Sequence, residues 1–159
     1  MELTHLWGIL FISLHAMVPI TLAAIGETIE ESAGLFNIGL EGILLFGALA
    51  GALGAQASGS ALVGLLTGMG VGALIGLVFG TISTSLRGSQ LISGVGINLL
   101  ALGFVALMLS VMGAPGFHSV AREVQVPLIP LGVGNLSPLV PITVAIAIGV
   151  WYNGVVKAR

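Results

Sequence analysis

The chain has no cysteine. Disulfides and thiolate metal sites are therefore excluded, and the redox compartment leaves no trace in the sequence. Charge is nearly absent too: charged residues make up 6% of 159 positions. Soluble domains carry roughly 25%. A net charge of −2, with no basic patch, argues against a nucleic-acid partner. The three histidines, His5, His15 and His118, are scattered without ligand spacing. Each reads as a structural or interfacial residue, and no metal or cofactor is expected. The P-loop pattern G-x-x-x-x-G-K-(S or T) does not occur. The N-terminus lacks the Lys or Arg of a signal peptide, so the first apolar run reads as a retained span.

What is present is apolar. Hydrophobic residues make up 57% of the chain and the mean hydropathy is +1.18. A soluble core of this length could not hide so much apolar surface, which places the chain in the membrane class. The expected fold is all-α: a polytopic transmembrane helical bundle of about five spans, forming one multi-pass domain over residues 1–159 in a lipid bilayer. Leu6–Ala24 is the first span, with Pro19 inside it predicting a kink. Ile38–Gln56 is the second, with Gly47 and Gly51 in GxxxG spacing, and Ala55–Ser60 reads as a turn. Ser60–Leu86 is the third and Gln90–Met112 the fourth. Pro115, Pro127 and Pro130 make residues 113–137 irregular. Pro138 and Pro141 suit the first turn of a last span running to about Val156.

Two spans carry patterns beyond hydrophobicity. The third has Gly64, Gly68, Gly72, Gly76 and Gly80 at every fourth position. This small-xxx-small stripe predicts a face for close helix packing rather than substrate contact. In the fourth, Gln90, Gly94 and Asn98 share one face, with Ser93 beside them. Unpaired amides in lipid are costly, so this face should point into the bundle. It lines a path or bonds a neighbouring helix.

Between the first two spans lies GETIEESAGLFNIGLEG, residues 26–42, with Glu27, Glu30, Glu31 and Glu41. An acid at the centre of a spanning helix costs about 2.5–3.5 kcal/mol. Such groups survive where they face water, a partner or a cavity. Gly34, Gly39 and Gly42 predict a broken or re-entrant segment, with a helix start near Asn37, a good N-cap residue. Broken helices in membranes line cavities or are buried in protein. A second reading is a tight acidic loop with no role beyond solvation. Both stand on the residues alone.

This stretch closely resembles the signature of ABC-importer permeases for nucleosides and simple sugars. Their pattern is roughly G-x-x-x-x-E-(R or K)-x-G-x-x-N-I-G-x-E-G-x-x-x-x-G-A. Gly26, Glu31, Gly34, Asn37, Ile38, Gly39, Glu41, Gly42, Gly47 and Ala48 fit it, while Ser32 stands where the family often has a basic residue. A second run, QLISGVGINLLALG from Gln90 to Gly103, resembles the family's Q-x-(I or V)-S-G-x-x-I-N-x-L-A-L-G. The resemblance covers nearly the whole chain but only the first half of a typical family member.

The resemblance implies an inner-membrane permease subunit that forms part of a translocation path and performs no catalysis. Its implied partners are a second permease subunit, a cytoplasmic ABC ATPase and an extracytoplasmic substrate-binding protein. Glu31, Asn37, Glu41, Gln90, Ser93 and Asn98 become candidates for the path or for a structural break. The family's ATPase-docking segment lies in the second half, so the chain reads as a fragment, a split subunit or a truncated form. Alternatives are a permease for branched-chain amino acids or another small solute, and a non-transporting protein assembling through its glycine stripe. An intramembrane enzyme would need paired catalytic groups, for which His15 is a poor candidate.

Orientation follows from four basic residues. Arg87 and the Lys157–Arg159 tail fall on one side of five spans and Arg122 on the other. The positive-inside rule predicts an external N-terminus and a cytoplasmic Arg87. Trp151 and Tyr152 suit an interfacial belt.

Overall fold

A computed structural model describes residues 2–114, 120–121, 123, 125–130 and 135–156. His118, Pro115 and the basic residues Arg122, Lys157 and Arg159 lie outside the described residues. Among the described residues the architecture is all-α apart from one two-residue strand pair. In chain order the helices are α1 (Glu2–Ser32), α2 (Leu40–Ser58), α3 (Ala61–Gly80), α4 (Gln90–Val111) and α5 (Leu139–Trp151). A π-helical turn extends α3 over Thr81–Ser85, and another extends α5 over Tyr152–Val156. Among the described residues four helices are long and apolar enough to cross a membrane, and the apolar helix at Leu139–Gly154, where a fifth span is expected, is shorter.

The chain divides into two compact units, Met1–Thr28 with Val126–Arg159, and Ile29–Gln125. In the first unit, Val18 on α1 and Val140 and Thr143 on α5 are buried. The His15 ring nitrogen Nε2 accepts the Ser137 backbone N–H at 2.9 Å, just ahead of α5. The Ser137 hydroxyl accepts the Leu139 N–H at 3.3 Å, which satisfies one open donor of the first turn. Strand β1 (Ile129–Pro130) pairs antiparallel with β2 (Asn135–Leu136), Ile129 opposite Leu136.

In the second unit α2 and α3 form an antiparallel hairpin. Gly59 ends α2 in the left-handed region, at φ 68°, and donates its N–H to Ala55 O. That cap makes the two-residue reversal possible. The helices meet glycine to glycine. A Cβ on Gly64 would lie 2.6 Å from Ala55 Cβ and 2.8 Å from Gly51 O. One on Gly68 would lie 2.9 Å from Gly47 O. Thr67 Oγ1 adds a bond across the seam to Ala50 O, at 3.3 Å. Lipid provides no hydrophobic drive between helices, so this backbone approach is what dispersion can work on. The stripe is used unevenly, however. Gly72 meets only Ile43 Cγ2, at 3.8 Å, and Gly76 and Gly80 meet nothing within 4 Å.

Helix α4 runs parallel to α2, with the Phe46 and Phe104 rings 5.6 Å apart and tilted by 41°. Ala101 of α4 and Phe79 of α3 are fully buried. Large apolar side chains elsewhere stay exposed, among them Leu74, Leu77, Ile92, Leu99 and Leu107. In water such a surface would aggregate; in a bilayer it faces lipid or further helices.

Helix α1 is longer than expected. It continues past Ala24 through Gly26 and Glu27 to Ser32. The expected break in residues 26–42 is thus confined to 33–39. Helix hydrogen bonding tolerates a lone glycine, at about 1 kcal/mol, so Gly26 does not end the helix. Pro19 also lies inside α1 without ending it.

Candidate functional site

The end of α1 is set by Gly34. Its φ of +83° puts it in the left-handed region. Its N–H reaches Glu31 O at 2.9 Å, and the Leu35 N–H reaches Glu30 O at 3.0 Å. These two bonds form a Schellman motif with Gly34 at C′. A side chain there would be strained whatever the space around it. The glycine that the sequence pattern requires after Glu31 is therefore a helix stop.

Residues 33–39 then cross to α2, and two amides of α4 hold them. Gln90 Oε1 accepts the Phe36 N–H at 2.9 Å, while its Nε2 donates to Gly34 O at 3.3 Å. Two turns further along α4, Asn98 Oδ1 accepts the Gly42 N–H at 2.7 Å and its Nδ2 donates to Ile38 O at 2.9 Å. Each amide spends one acceptor and one donor on backbone that no helix satisfies. That is why amides, and not hydroxyls or carboxylates, suit both positions.

Between the clamps the backbones touch. A Cβ on Gly94 would lie 2.8 Å from Gly39 N, and one on Gly39 would lie 3.1 Å from Gly94 Cα. A Cβ on Gly42 would lie 2.8 Å from Ile97 O. The i, i+4, i+8 face of Gln90, Gly94 and Asn98 is the floor on which the connector lies. The two sequence motifs that carry the resemblance are thus the two halves of one contact.

Asn37 is buried, with 3% of its surface exposed. Its Oδ1 accepts the Gly39 N–H at 2.9 Å, two residues on. This is an Asx turn rather than the N-cap expected from sequence, because α2 starts later, at Leu40, with Gly39 in the cap position. Asn37 and Glu41 accordingly do not share a helical face. Asn37 precedes the helix and points inward, whereas Glu41 lies in its first turn and is exposed.

Glu31 is exposed at the end of α1. Ser93 bonds back along its own helix, Oγ to Ser89 O at 2.9 Å. One carboxylate oxygen of Glu30 and the Ser83 hydroxyl are buried with no hydrogen-bond partner among the described residues. No group of three or more His, Cys, Asp or Glu suited to a metal ion occurs among the described residues. Sequence reasoning treated Gly39 and Gly42 as breakers and missed their contact with α4. The signal was available, since a small, amide-bearing face and a glycine-rich connector are complementary.

A family model described as branched-chain amino acid transport system / permease component matches residues 9–130, which include both motifs. TsgC13 of Haloferax volcanii, provisionally named a glucose ABC transporter permease protein, is 36% identical over 96 residues, covering 60% of this chain and 29% of that protein. NupQ of Bacillus subtilis, a guanosine ABC transporter permease protein, is 37% identical over 91 residues, covering 54% of this chain and 28% of its own. This chain spans under a third of the length of these relatives. No solved structure matches.

Proposed function

From the premise that this chain belongs to the family of branched-chain amino acid transport system / permease components, we propose that it forms part of the translocation path of an ABC importer for a nucleoside or simple sugar. The family is one of transport permeases and not of enzymes, and its multi-pass helices belong to the inner membrane. On this reading the chain performs no catalysis. ATP hydrolysis comes from a cytoplasmic ABC ATPase, an extracytoplasmic binding protein delivers the solute, and a second permease subunit completes the path.

The observation that carries the reading is the docking of GLFNIGLEG onto the Gln90–Asn98 face. It holds a non-helical segment between two helices, in a membrane where irregular backbone must be buried or line a cavity. Glu31 and Glu41, exposed at the two ends of that segment, are the groups best placed to meet a partner or a passing polar solute. The relatives' names, glucose for one and guanosine for the other, support the substrate class.

The test is affinity co-purification from the native membrane, with mass spectrometry of the bound proteins. Uptake of labelled glucose and guanosine is then measured in cells that carry or lack the gene. Recovery of an ABC ATPase and loss of one uptake on deletion are expected. Recovery of neither an ATPase nor a binding protein, with both uptakes unchanged, would leave a membrane assembly protein as the better reading.

A further inference from the structure

The two amide clamps are unequal. Asn98 works among buried groups: Gly39, Gly42 and Gly94 are buried and packed backbone to backbone around it. Gln90 works at the surface. Its bonds to Phe36 and Gly34 are exposed, the second at 3.3 Å. Ala33, Gly34 and Phe36 are themselves exposed, Phe36 by 55%, and nothing lies within 4 Å of a Cβ built on Gly34. Swinging residues 35 and 36 out about Gly34 breaks the two exposed Gln90 bonds and the Leu35–Glu30 bond of the helix cap, and uncovers only the half-buried Leu35. Freeing residues 37–42 breaks the bonds of 2.7 and 2.9 Å to Asn98 and separates a close-packed backbone interface.

We propose that residues 33–36 form a strap, hinged at Gly34 and at the Asn37 turn and latched by Gln90, which opens while the half locked by Asn98 stays closed. Local opening follows exposure and contact density, and here the two change abruptly within four residues. Each hinge has a physical basis. Gly34 already occupies the left-handed region that few residues tolerate, and Asn37 fixes the far side through its own turn. Opening releases the Gly34 and Glu30 carbonyls, the Leu35 and Phe36 N–H groups and the whole Gln90 amide together, next to the Glu30 and Glu31 side chains. Closing consumes all of them. The strap therefore switches a group of neutral donors and acceptors between the end of α1 and the start of α2 from free to occupied.

The proposal stands apart from the transport reading, because its test reads the strap alone. Amide hydrogen exchange is followed by NMR on the protein in lipid nanodiscs. In the unaltered protein the Phe36 amide should exchange faster than those of Gly39 and Gly42. Gln90→Ala should speed Phe36 by about fivefold or more, the worth of one net hydrogen bond, and leave Gly39 and Gly42 unchanged. Gln90→Glu, which keeps the acceptor for Phe36, should stay closer to the unaltered protein. Asn98→Ala should speed Gly42. Equal exchange at Phe36 and Gly42 in the unaltered protein would overturn the proposal, as would equal acceleration of both by Gln90→Ala. The comparison within the unaltered protein holds even where a variant fails to fold.

Discussion

Replacing Gly42 with alanine adds a single methyl group, and the structure assigns it no room. The new Cβ would lie 2.8 Å from Ile97 O, 2.9 Å from Asn98 Oδ1 and 3.0 Å from Asn98 Cα. Two of these three atoms are backbone of α4, so the helices must part rather than a side chain swing away. Overpacking of this kind costs about 1–3 kcal/mol. The parting also stretches the 2.7 Å bond from Gly42 N–H to Asn98. Leaving that partly buried pair unmatched costs about 1–3 kcal/mol more. Alanine recovers about 0.5–1 kcal/mol through its better helix propensity. The expected net loss is about 1–5 kcal/mol. Gly76→Ala is the control, because nothing lies within 4 Å of its Cβ. It should gain about 0.5–1 kcal/mol from propensity alone. Both are measured by reversible unfolding in mixed micelles. Circular dichroism is the probe, since Trp7 and Trp151 lie outside the unit Ile29–Gln125 and would not report on it. Asn98→Ala completes a double-mutant cycle, in which the combined loss should fall short of the two single losses added. Stability of Gly42→Ala within about 0.5 kcal/mol of the unaltered protein would refute the close approach of α2 and α4. So would an equal loss from Gly76→Ala.

Gly64→Leu and Gly68→Leu should lower the yield of folded protein far more than Leu74 or Leu77 changed to other apolar residues; equal losses at both sets would contradict a glycine seam. Within this chain Gly76→Leu belongs with the mild set, and folded yield against Gly64→Leu checks that. Arg87→Cys, in this cysteine-free chain, should resist an impermeant external thiol reagent in intact cells, and labelling there would reverse the orientation. Glu41→Gln removes a carboxylate from the first turn of α2, worth about 0.3–1 kcal/mol, so folded yield should hardly change. If Glu41 serves gating or partner contact, uptake normalised to folded complex should fall, and normal uptake in both Glu41→Gln and Glu41→Leu would return it to an ordinary solvated residue.

Composition alone determined the class of this protein. A chain so poor in charge and rich in apolar runs has no soluble solution, and continuous runs of this length satisfy their backbone in lipid as helices rather than as the short alternating strands of a closed barrel. The spans could be placed to within a few residues for α2, α3 and α4, because polar turns and glycines punctuate them. The end of α1 could not. Gly26 and Gly34 look alike in sequence, and only the left-handed backbone at Gly34 distinguishes a helix stop from a glycine the helix runs through. The polar face of α4 was likewise legible as a pattern, since Gln90, Gly94 and Asn98 recur at helical spacing. What the face holds was not legible. Its partners lie 54 to 60 residues away along the chain, and their bonds depend on how α2 and α4 align. The glycine stripe shows the same limit. All five positions are equivalent by spacing, yet α2 reaches only part of the stripe, because its glycines Gly47 and Gly51 oppose Gly68 and Gly64. Periodicity determines which residues share a face, a local property of one helix. Only tertiary structure decides which part of that face another backbone comes to meet, because that depends on where a second helix begins and ends.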